Sequence, residues 1–592
     1  MTPKDVYAKR LSERQATVSS FDQLHVRIGN FRLALAGLAF LIAWLAFARH
    51  VFSPWWLAAP LVGFATLAIH HSRVLRARTL AERSVSVYLR GLARTSDKWA
   101  GGGASGERFA DSHHVYAADL DLFGTGGLFE LLSTARTRMG EDTLAEWLLQ
   151  PAELDEVRQR QAAVAELRDK LDLREQLAVL GEDAAIGVHP QSLVKWAESP
   201  NRLSIRGLKL VARILATAAV VTGIMWAQWD RALPFVIVVA IQAIITYSLR
   251  HRLSEILHGT EHSFADLSLL SETLARMEAE PLQSPRLKRL SEELTSHQVR
   301  GSEAIRRLQK IVDLSMSRDN VFLRILDIPL MYSVQVALAA EKWRALHGSA
   351  VRRWIAAVGE IEALLSLSGY SFEHPEDAYP IFEEQGPLLE ARQLGHPLLP
   401  ATRCVRNDVS LGGETRVLLV SGSNMSGKST LLRSVGVSMV MAMAGAPVRT
   451  KELRMTPLQI GASIRVNDSL QEGSSRFYAE ISRLRQIYDR SEKQPPLLFL
   501  LDELLQGTNS KDRRIGAEGV LRAMIERGAI GLVSTHDLAL TEIGTEFEEH
   551  IRNVHFQDEL QGGKISFDYQ LRPGVVTKSN GLELMRSIGL KV

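Results

Sequence analysis

A single cysteine, Cys404, stands among the 592 residues. That scarcity excludes an internal disulfide framework and a cysteine-rich metal centre. Charge of one sign is also missing: 70 Lys and Arg against 67 Asp and Glu leave a formal net charge of +3. So mild a balance does not mark a nucleic-acid partner. The short basic runs "RLKRL" at 286 and "VRRW" at 351 read as solvated helix faces. There is no low-complexity tract and no short tandem repeat. The adjacent His113 and His114 lie in a loop-like stretch and read as incidental rather than metal-binding. The length gives room for about four domains, and three functional parts are expected.

Apolar residues are 46% of the chain, an ordinary share, but they are unevenly spread. Leu33 to Ala48 and Val51 to Ile69 are uninterrupted, with Arg49 and His50 between them. A second pair, Ile214 to Trp229 and Ala232 to Leu249, is separated by Asp230 and Arg231. A bilayer core takes about 20 residues. Each pair therefore reads as a helical hairpin with a tight outer turn, Arg32 and Arg213 snorkelling to lengthen the shorter runs. Pro54 and Pro234 open the returning helices, where proline is tolerated. Trp55, Trp56, Trp226 and Trp229 gather at the tips, as interfacial aromatics do. Arg27, Arg32, Arg73, Arg76 and Arg78 flank the first pair; Arg202, Arg206, Lys209, Arg250 and Arg252 flank the second. The positive-inside rule then puts both sets of ends in the cytosol, and a cleaved signal peptide fits poorly.

The stretch "VLLVSGSNMSGKSTLLRSVG" begins at Val417. Gly422, Gly427, Lys428 and Ser429 fit G-x-x-x-x-G-K-[ST], in which loop amides cradle phosphates, Lys reaches the β and γ oxygens, and the Ser hydroxyl holds Mg²⁺. The preceding apolar run reads as a buried strand, and Thr430 to Val437 as a helix. "PPLLFLLDELLQGTNS" supplies a second buried strand, Leu497 to Leu501, ending in Asp502 and Glu503. At that strand end Asp502 would orient Mg²⁺ and Glu503 would polarise an attacking water. "AIGLVSTHD" repeats the pattern and ends at Thr535, His536 and Asp537. His536 is placed to sense a γ-phosphate or orient water.

With these residues assembled, the chain resembles the MutS family of mismatch-repair ATPases. The resemblance rests on "RCVRNDVSLGGETRVLLVSGSNMSGKSTLLR", "QIGASIRVNDSLQEGSSRFYAEISRLRQIY", "LLDELLQGTNSKD" and "STHD", together with an upstream block, residues 119–167. There Leu120, Phe123, Leu128, Leu131, Gly140, Leu144, Trp147, Leu148 and Pro151 are similar to the start of the family's helical core. The resemblance implies a nucleotide site formed by Gly422, Ser423, Asn424, Met425, Ser426, Gly427, Lys428, Ser429 and Thr430. It also implies a homodimer in which Ser475 reaches the partner's γ-phosphate. Departures stand beside it. Ser423 and Ser426 replace the family's usual Pro and Gly, Gln506 stands where an arginine is usual, and Arg476 interrupts the usual S-T-F. With residues 1–118 ahead of the core and partly apolar, no mismatch-reading domain is expected.

The expected fold class is an α/β P-loop ATPase domain, ABC-like with a mostly parallel sheet, joined to a mainly α-helical MutS-type core and lever with two transmembrane hairpins. The expected divisions are 1–80 with spans near 31–49 and 51–70, a linker at 81–118, core at 119–205, a second hairpin at 206–252, lever at 253–375 and ATPase domain at 376–592. ATP and Mg²⁺ are the implied cofactors, and the inner membrane, by four spans, the implied location. Lys428, Glu503 and His536 are the expected catalytic groups, and Ser429 and Asp502 the expected metal ligands. DNA is one partner class open to such a dimer; an ATP-gated scaffold binding a protein is the other. An ABC-type transporter fits less well, because four spans are few and residues 119–167 resemble no transporter part.

Overall fold

A computed structural model describes the chain apart from residues 52, 181–189, 204, 206, 262–264, 297, 318–320, 424, 466–475, 538–539, 544–548, 562–563 and 577–592. Helix α1 (Pro3–Phe47) starts from a capping box in which Thr2 and Asp5 satisfy each other's amides at 3.2 and 3.0 Å. It then runs 45 residues, about 68 Å at 1.5 Å per residue. Its first half is polar and its second half apolar. Helix α2 (Ala58–Arg94) returns antiparallel beside it. Tyr7 meets Tyr88 at the lower end, His25 meets His71 midway, and Leu35 lies over Gly63 near the tip. At the polar end the pair is clamped to the body of the protein. Arg94 and Tyr7 both bond the buried Glu373 carboxylate, Tyr7 at 3.1 Å. Tyr88 and Arg14 bond Glu175 at 2.6 and 3.0 Å.

Two expectations need correction here. The span expected near 51–70, with Pro54 opening the returning helix, becomes α-helical only from Ala58. A 3₁₀ turn, Pro54–Leu57, precedes α2, whose apolar part gives way at His70, His71 and Arg73. Among the described residues, three helices are by themselves long and apolar enough to cross a membrane, α1, α8 and α9, while α2 carries a shorter apolar part beside α1. The linker read at 81–118 is also shorter, since α2 continues to Arg94.

The helical body comprises α3 (Leu128–Leu132), α4 (Arg138–Leu149), α5 (Leu154–Leu167), α6 (Leu171–Leu180), α7 (Pro190–Glu198), α8 (Leu208–Trp229), α9 (Leu233–Glu261), α10 (Ala265–Ala279), α11 (Pro285–Glu293), a minimal pair β1 (Thr295–Ser296) and β2 (Val299–Arg300), then α12 (Gly301–Ser317), α13 (Val321–Leu330) and α14 (Tyr332–Glu373). Helix α14 is its centre: 42 residues long, it packs on α4, α5, α7, α9 and α12. α4 can approach it closely because Gly140 and Gly359 face the contact. A Cβ on Gly140 would lie 2.6 Å from Glu362 Cβ, and one on Gly359 would lie 2.9 Å from Met139 O. Stacked Trp196 and Trp343, 5.9 Å apart, tie three further helices together. Their indole N–H groups donate to Ile256 O at 3.2 Å and Ala304 O at 2.7 Å.

Two sheets follow. The smaller has the order β3-β7-β4-β5, from β3 (Ile381–Phe382), β4 (Leu388–Leu394), β5 (Asn407–Gly412) and β7 (Glu452–Met455). The larger is built from β6 (Val417–Ser421), β8 (Gln459–Ser463), β9 (Leu497–Asp502), β10 (Ile530–Thr535), β11 (Ile551–Gln561) and β12 (Lys564–Pro573), in the order β12-β11-β6-β10-β9-β8. Only β12 is antiparallel to its neighbour. The central strands β6, β9 and β10 are mostly apolar and almost wholly buried, as in a parallel sheet covered by helices, with polar residues at their C-terminal ends. The helices of this domain are α15 (Lys428–Ala444), α16 (Arg476–Arg490) and α17 (Ser510–Glu526). The upstream block is stitched to this domain: Asp119 accepts from the amides of Ile464 and Arg465, both at 2.7 Å.

Buried Glu362 provides a test of the α4–α14 contact. It accepts from Thr137 N at 3.1 Å, yet burial raises its pKa from the usual 4.5 to about 6. The folded state thus holds this proton more tightly than the unfolded chain. Stability falls as pH rises from about 4.5 to 6, by about 2 kcal/mol in all at 1.36 kcal/mol per unit. Glu362→Gln should raise the melting temperature at pH 7.5 and leave it nearly unchanged near pH 4.5. An equal shift at both pH values would trace the effect to packing instead.

Candidate functional site

The loop after β6 is shaped by its glycines. Gly422 and Gly427 have φ of 150° and 105°, where side chains are disfavoured. A Cβ on Gly422 would also press Ser426 Oγ at 2.8 Å and Phe556 O at 3.1 Å. Met425, with φ of 73°, projects outward and is 84% exposed. Helix α15 then starts with Gly427 as its N-cap and no side-chain cap, so its first-turn amides face the loop's concavity. The Lys428 ammonium folds back over this loop, donating to Gly422 O at 2.7 Å and Ser423 O at 2.9 Å. Ser429 and Thr430 follow on the same turn, half-buried and exposed. The Ser423 and Ser426 hydroxyls are buried and find no hydrogen-bond partner among the described residues. Uncapped amides, unused hydroxyls and one ammonium are a donor set that fits a phosphate chain.

Strand register brings the carboxylates to this loop. In β10, Ser534 pairs with Asp502 of β9, and Thr535 pairs with Ser421 of β6. The strand ends therefore open side by side, at the edge where parallel sheets receive ligands. Ser534 Oγ donates to Asp502, and the Glu503 amide donates to Ser534 O and Oγ, each at 3.1 Å. Glu503, with φ of 54°, turns its carboxylate out of the sheet toward His536, 3.4 Å from Nδ1. Gln506 bonds the same carboxylate and lies 3.4 Å from the same imidazole nitrogen. Burial lowers the Lys428 pKa, and the charges of Glu503 and Asp502 oppose that fall. The three groups thus share one electrostatic neighbourhood.

Lys428, Ser429, Asp502, Glu503 and His536 are accordingly brought together. Asn424 and Ser475 lie outside the described residues. Among the described residues no cluster of three or more His, Cys, Asp or Glu could hold a metal alone. Ser429 and Asp502 still suit Mg²⁺, which keeps much of its water and takes few protein ligands alongside phosphate oxygens.

Several participants escaped the sequence reading. Ser534 orients Asp502, and Gln506 bridges Glu503 and His536. Arg513 holds their loop by donating to Leu505 O, Gln506 O and Thr508 O at 3.1 to 3.2 Å. Only Ser534, inside "STHD", carried a local signal. Beside the first turn of α15 lies a cavity of about 360 Å³, lined by Asp121, Phe123, His396, Leu398, Thr430 and Arg433, among others. Burial beside Arg433 and Arg449 lowers the His396 pKa to about 4, so its ring is neutral at pH 7.

Residues 418–591 match the family model described as MutS domain V. The chain is 34% identical over 212 residues to Endonuclease MutS2 of Thermus thermophilus, covering 36% of this chain and 27% of that protein. It is 31% identical over 261 residues to DNA mismatch repair protein MutS 2 of Halobacterium salinarum, covering 43% and 28%. Against DNA mismatch repair protein MSH6 of Arabidopsis thaliana the identity is 30% over 274 residues, covering 42% and 20%. The chain thus spans between a fifth and somewhat over a quarter of these relatives' lengths.

Proposed function

The chain belongs to the MutS family, and from that premise we propose that it is a membrane-anchored, dimeric ATPase. The observation that carries the catalytic half is the register that sets Asp502, Ser534, Thr535 and Ser421 side by side at the mouth of the glycine loop. Amides of residues 422–430 and the Lys428 ammonium bind the phosphates, and Ser429 and Asp502 hold Mg²⁺. Bound Mg²⁺ would neutralise charge on the β and γ oxygens. Glu503 takes the proton of the attacking water, with Gln506 and His536 fixing its carboxylate. His536 also faces the γ-phosphate, and Ser475 completes the partner's site. The cavity beside Thr430 is of a size that suits a nucleoside. Catalysis is then largely positioning and electrostatics.

The anchor is supported by α1, α8 and α9, whose apolar faces are exposed, and by the exposed tip residues Trp55, Trp56 and Trp229. With α2 returning beside α1 and α9 beside α8, it leaves the ATPase domain on the cytosolic side of a cell membrane. The ATP cycle drives a conformational change through α14 onto a partner. That partner is DNA held without mismatch reading, or a protein held by an ATP-gated scaffold.

Three outcomes test the reading. Lys428→Ala should abolish tight ATP binding, whereas Glu503→Gln should bind ATP normally and hydrolyse it roughly 10² to 10⁴ times more slowly. Wild-type turnover by Glu503→Gln would remove that residue from catalysis.

Cysteines placed at Ser53 or Asp230 should react with an impermeant thiol reagent on intact cells, while Cys404 should react only after lysis. Extraction of the protein without detergent would refute the anchor.

In a competition titration at fixed salt, mismatched and perfect duplexes should bind alike. A tenfold preference for the mismatch, about 1.4 kcal/mol, would instead favour mismatch recognition.

A further inference from the structure

Helix α13 was absent from the apolar runs that the sequence singled out, yet it belongs beside them. Its ten residues are almost entirely apolar, and Ile325, Leu326 and Ile328 are 69%, 45% and 38% exposed. In water such a cluster would be costly, at about 25 cal/mol per Å². It is not an isolated patch. α13 packs directly on α8 and α9, which carry exposed apolar residues of their own, among them Val236, Ile237 and Ile244.

Hydrogen bonds fix its height along the spans. Gln242, near the middle of the apolar stretch of α9 and fully buried, donates from Nε2 to Pro329 O at 3.0 Å. A carbonyl in the last turn of a helix lacks an intrahelical partner, and the Gln242 amide supplies one here, while its own Oε1 is buried with no partner among the described residues. By helical rise, Gln242 lies about 12 Å outward of Arg250, the basic flank that marks the inner surface. The hydrocarbon core is about 30 Å thick. Pro329 therefore sits close to its middle.

A second path gives a consistent height. Trp196 and Trp343 mark one level shared by Ile256 of α9 and Ala304 of α12. From there α9 rises about 21 Å to Gln242, and α14 rises about 16 Å to Tyr332. Tyr332 donates its hydroxyl to Leu314 O of α12 at 2.8 Å, and Leu314 and Met316 are 49% and 51% exposed there.

We propose that α13 is a re-entrant membrane element: it enters the inner half of the bilayer beside α8 and α9, and lipid acyl chains cover Ile325, Leu326 and Ile328. This rests on the anchored reading above. Two charged residues in the helix are accommodated. Asp327 Oδ1 accepts from Ser333 N at 2.8 Å, at the positive end of α14. Arg324 is exposed and long enough to snorkel to the inner surface. Such non-spanning backbone is tolerated at depth when protein satisfies its polar groups, as Gln242 does here.

The test is spin-label accessibility in proteoliposomes, on a Cys404→Ser background. Single cysteines would replace Ile325 or Ile328, with Ile237 on α9 as the lipid control and Arg307 on α12 as the aqueous one. Labels at 325 and 328 should match 237, several-fold more accessible to oxygen than to a nickel chelate. If 325 and 328 match 307 while 237 stays in lipid, this inference falls and the anchor stands. If 237 is itself aqueous, both fall. Labels shielded from both reagents and broadened by a second copy would put protein, not lipid, on this face and overturn the proposal.

Discussion

Burial of one helix, α14, constrains the rest of the molecule. Most of its 42 residues are inaccessible over its whole length, so it cannot shift without moving what packs on it. At its C-terminal end Glu373 holds Arg94 and Tyr7, and through them the α1–α2 pair. At its N-terminal end it meets α8, α9 and α13. Between these ends α4 lies against it through Gly140 and Gly359, and α4 also touches α15, the helix that begins at Lys428. Leu120 completes the route. Its side chain occupies the space that a Cβ on Gly436 would take, beside Leu500 of the strand that ends at Asp502. Close-packed interiors transmit displacement rather than absorb it. A shift of α15 on closing around phosphate would therefore reach α14 through α4 and the Leu120 block.

Much of this was legible in the sequence, for reasons that vary by element. β6, β9 and β10 are short apolar runs bounded by turns, and each ends at the polar residues the pattern nominated. The glycine loop was legible because its backbone needs Gly422 and Gly427. What escaped depended on contacts between distant segments. Gln506 looked like a missing arginine; only the fold shows it bonding Glu503 and reaching toward His536. The cavity beside Thr430 draws on residues from 121 to 433, and no local pattern unites them. The late start of α2 has a local cause: hydropathy does not register the 3₁₀ turn Pro54–Leu57, nor how soon His70 and His71 end the apolar part. α13 was too short to stand out as a span, and its apolar content was absorbed into a helical lever.

The loop departures have a physical reading too. Replacing Pro by Ser423 restores a backbone donor. Ser423 and Ser426 add two hydroxyls that are buried and without a hydrogen-bond partner among the described residues. An unmet buried hydroxyl costs about 1 to 3 kcal/mol, and a phosphate oxygen in the loop would relieve that cost. Replacement of arginine by Gln506 acts in the other direction. A neutral amide beside Glu503 lowers the positive charge available to a γ-phosphate while still orienting the carboxylate. Under the proposed reading, phosphate binding would rest on the loop more than on cations around it.

Geometry also limits how the two apolar groups share one membrane. From the clamp at Tyr7 and Glu373, α1 reaches its basic flank at Arg32 after about 37 Å of helix. By the other route, α14 rises about 45 Å to Trp343, and α9 adds about 9 Å from Ile256 to Arg250, for about 54 Å in all. Both flanks belong at the same surface under the anchored reading. With α1 along the bilayer normal, the longer path must lean by roughly 45°, close to the commonest helix crossing angle of about 50°. α1 and α14 would then touch near their clamp and diverge above it, and the clamp would act as the pivot. Rotation about it would raise or lower α8, α9 and α13 relative to the first pair. A bilayer resists such mismatch with fractions of a kcal/mol per Å, so a few ångströms of lift would be a modest load on the ATP-driven closure proposed above.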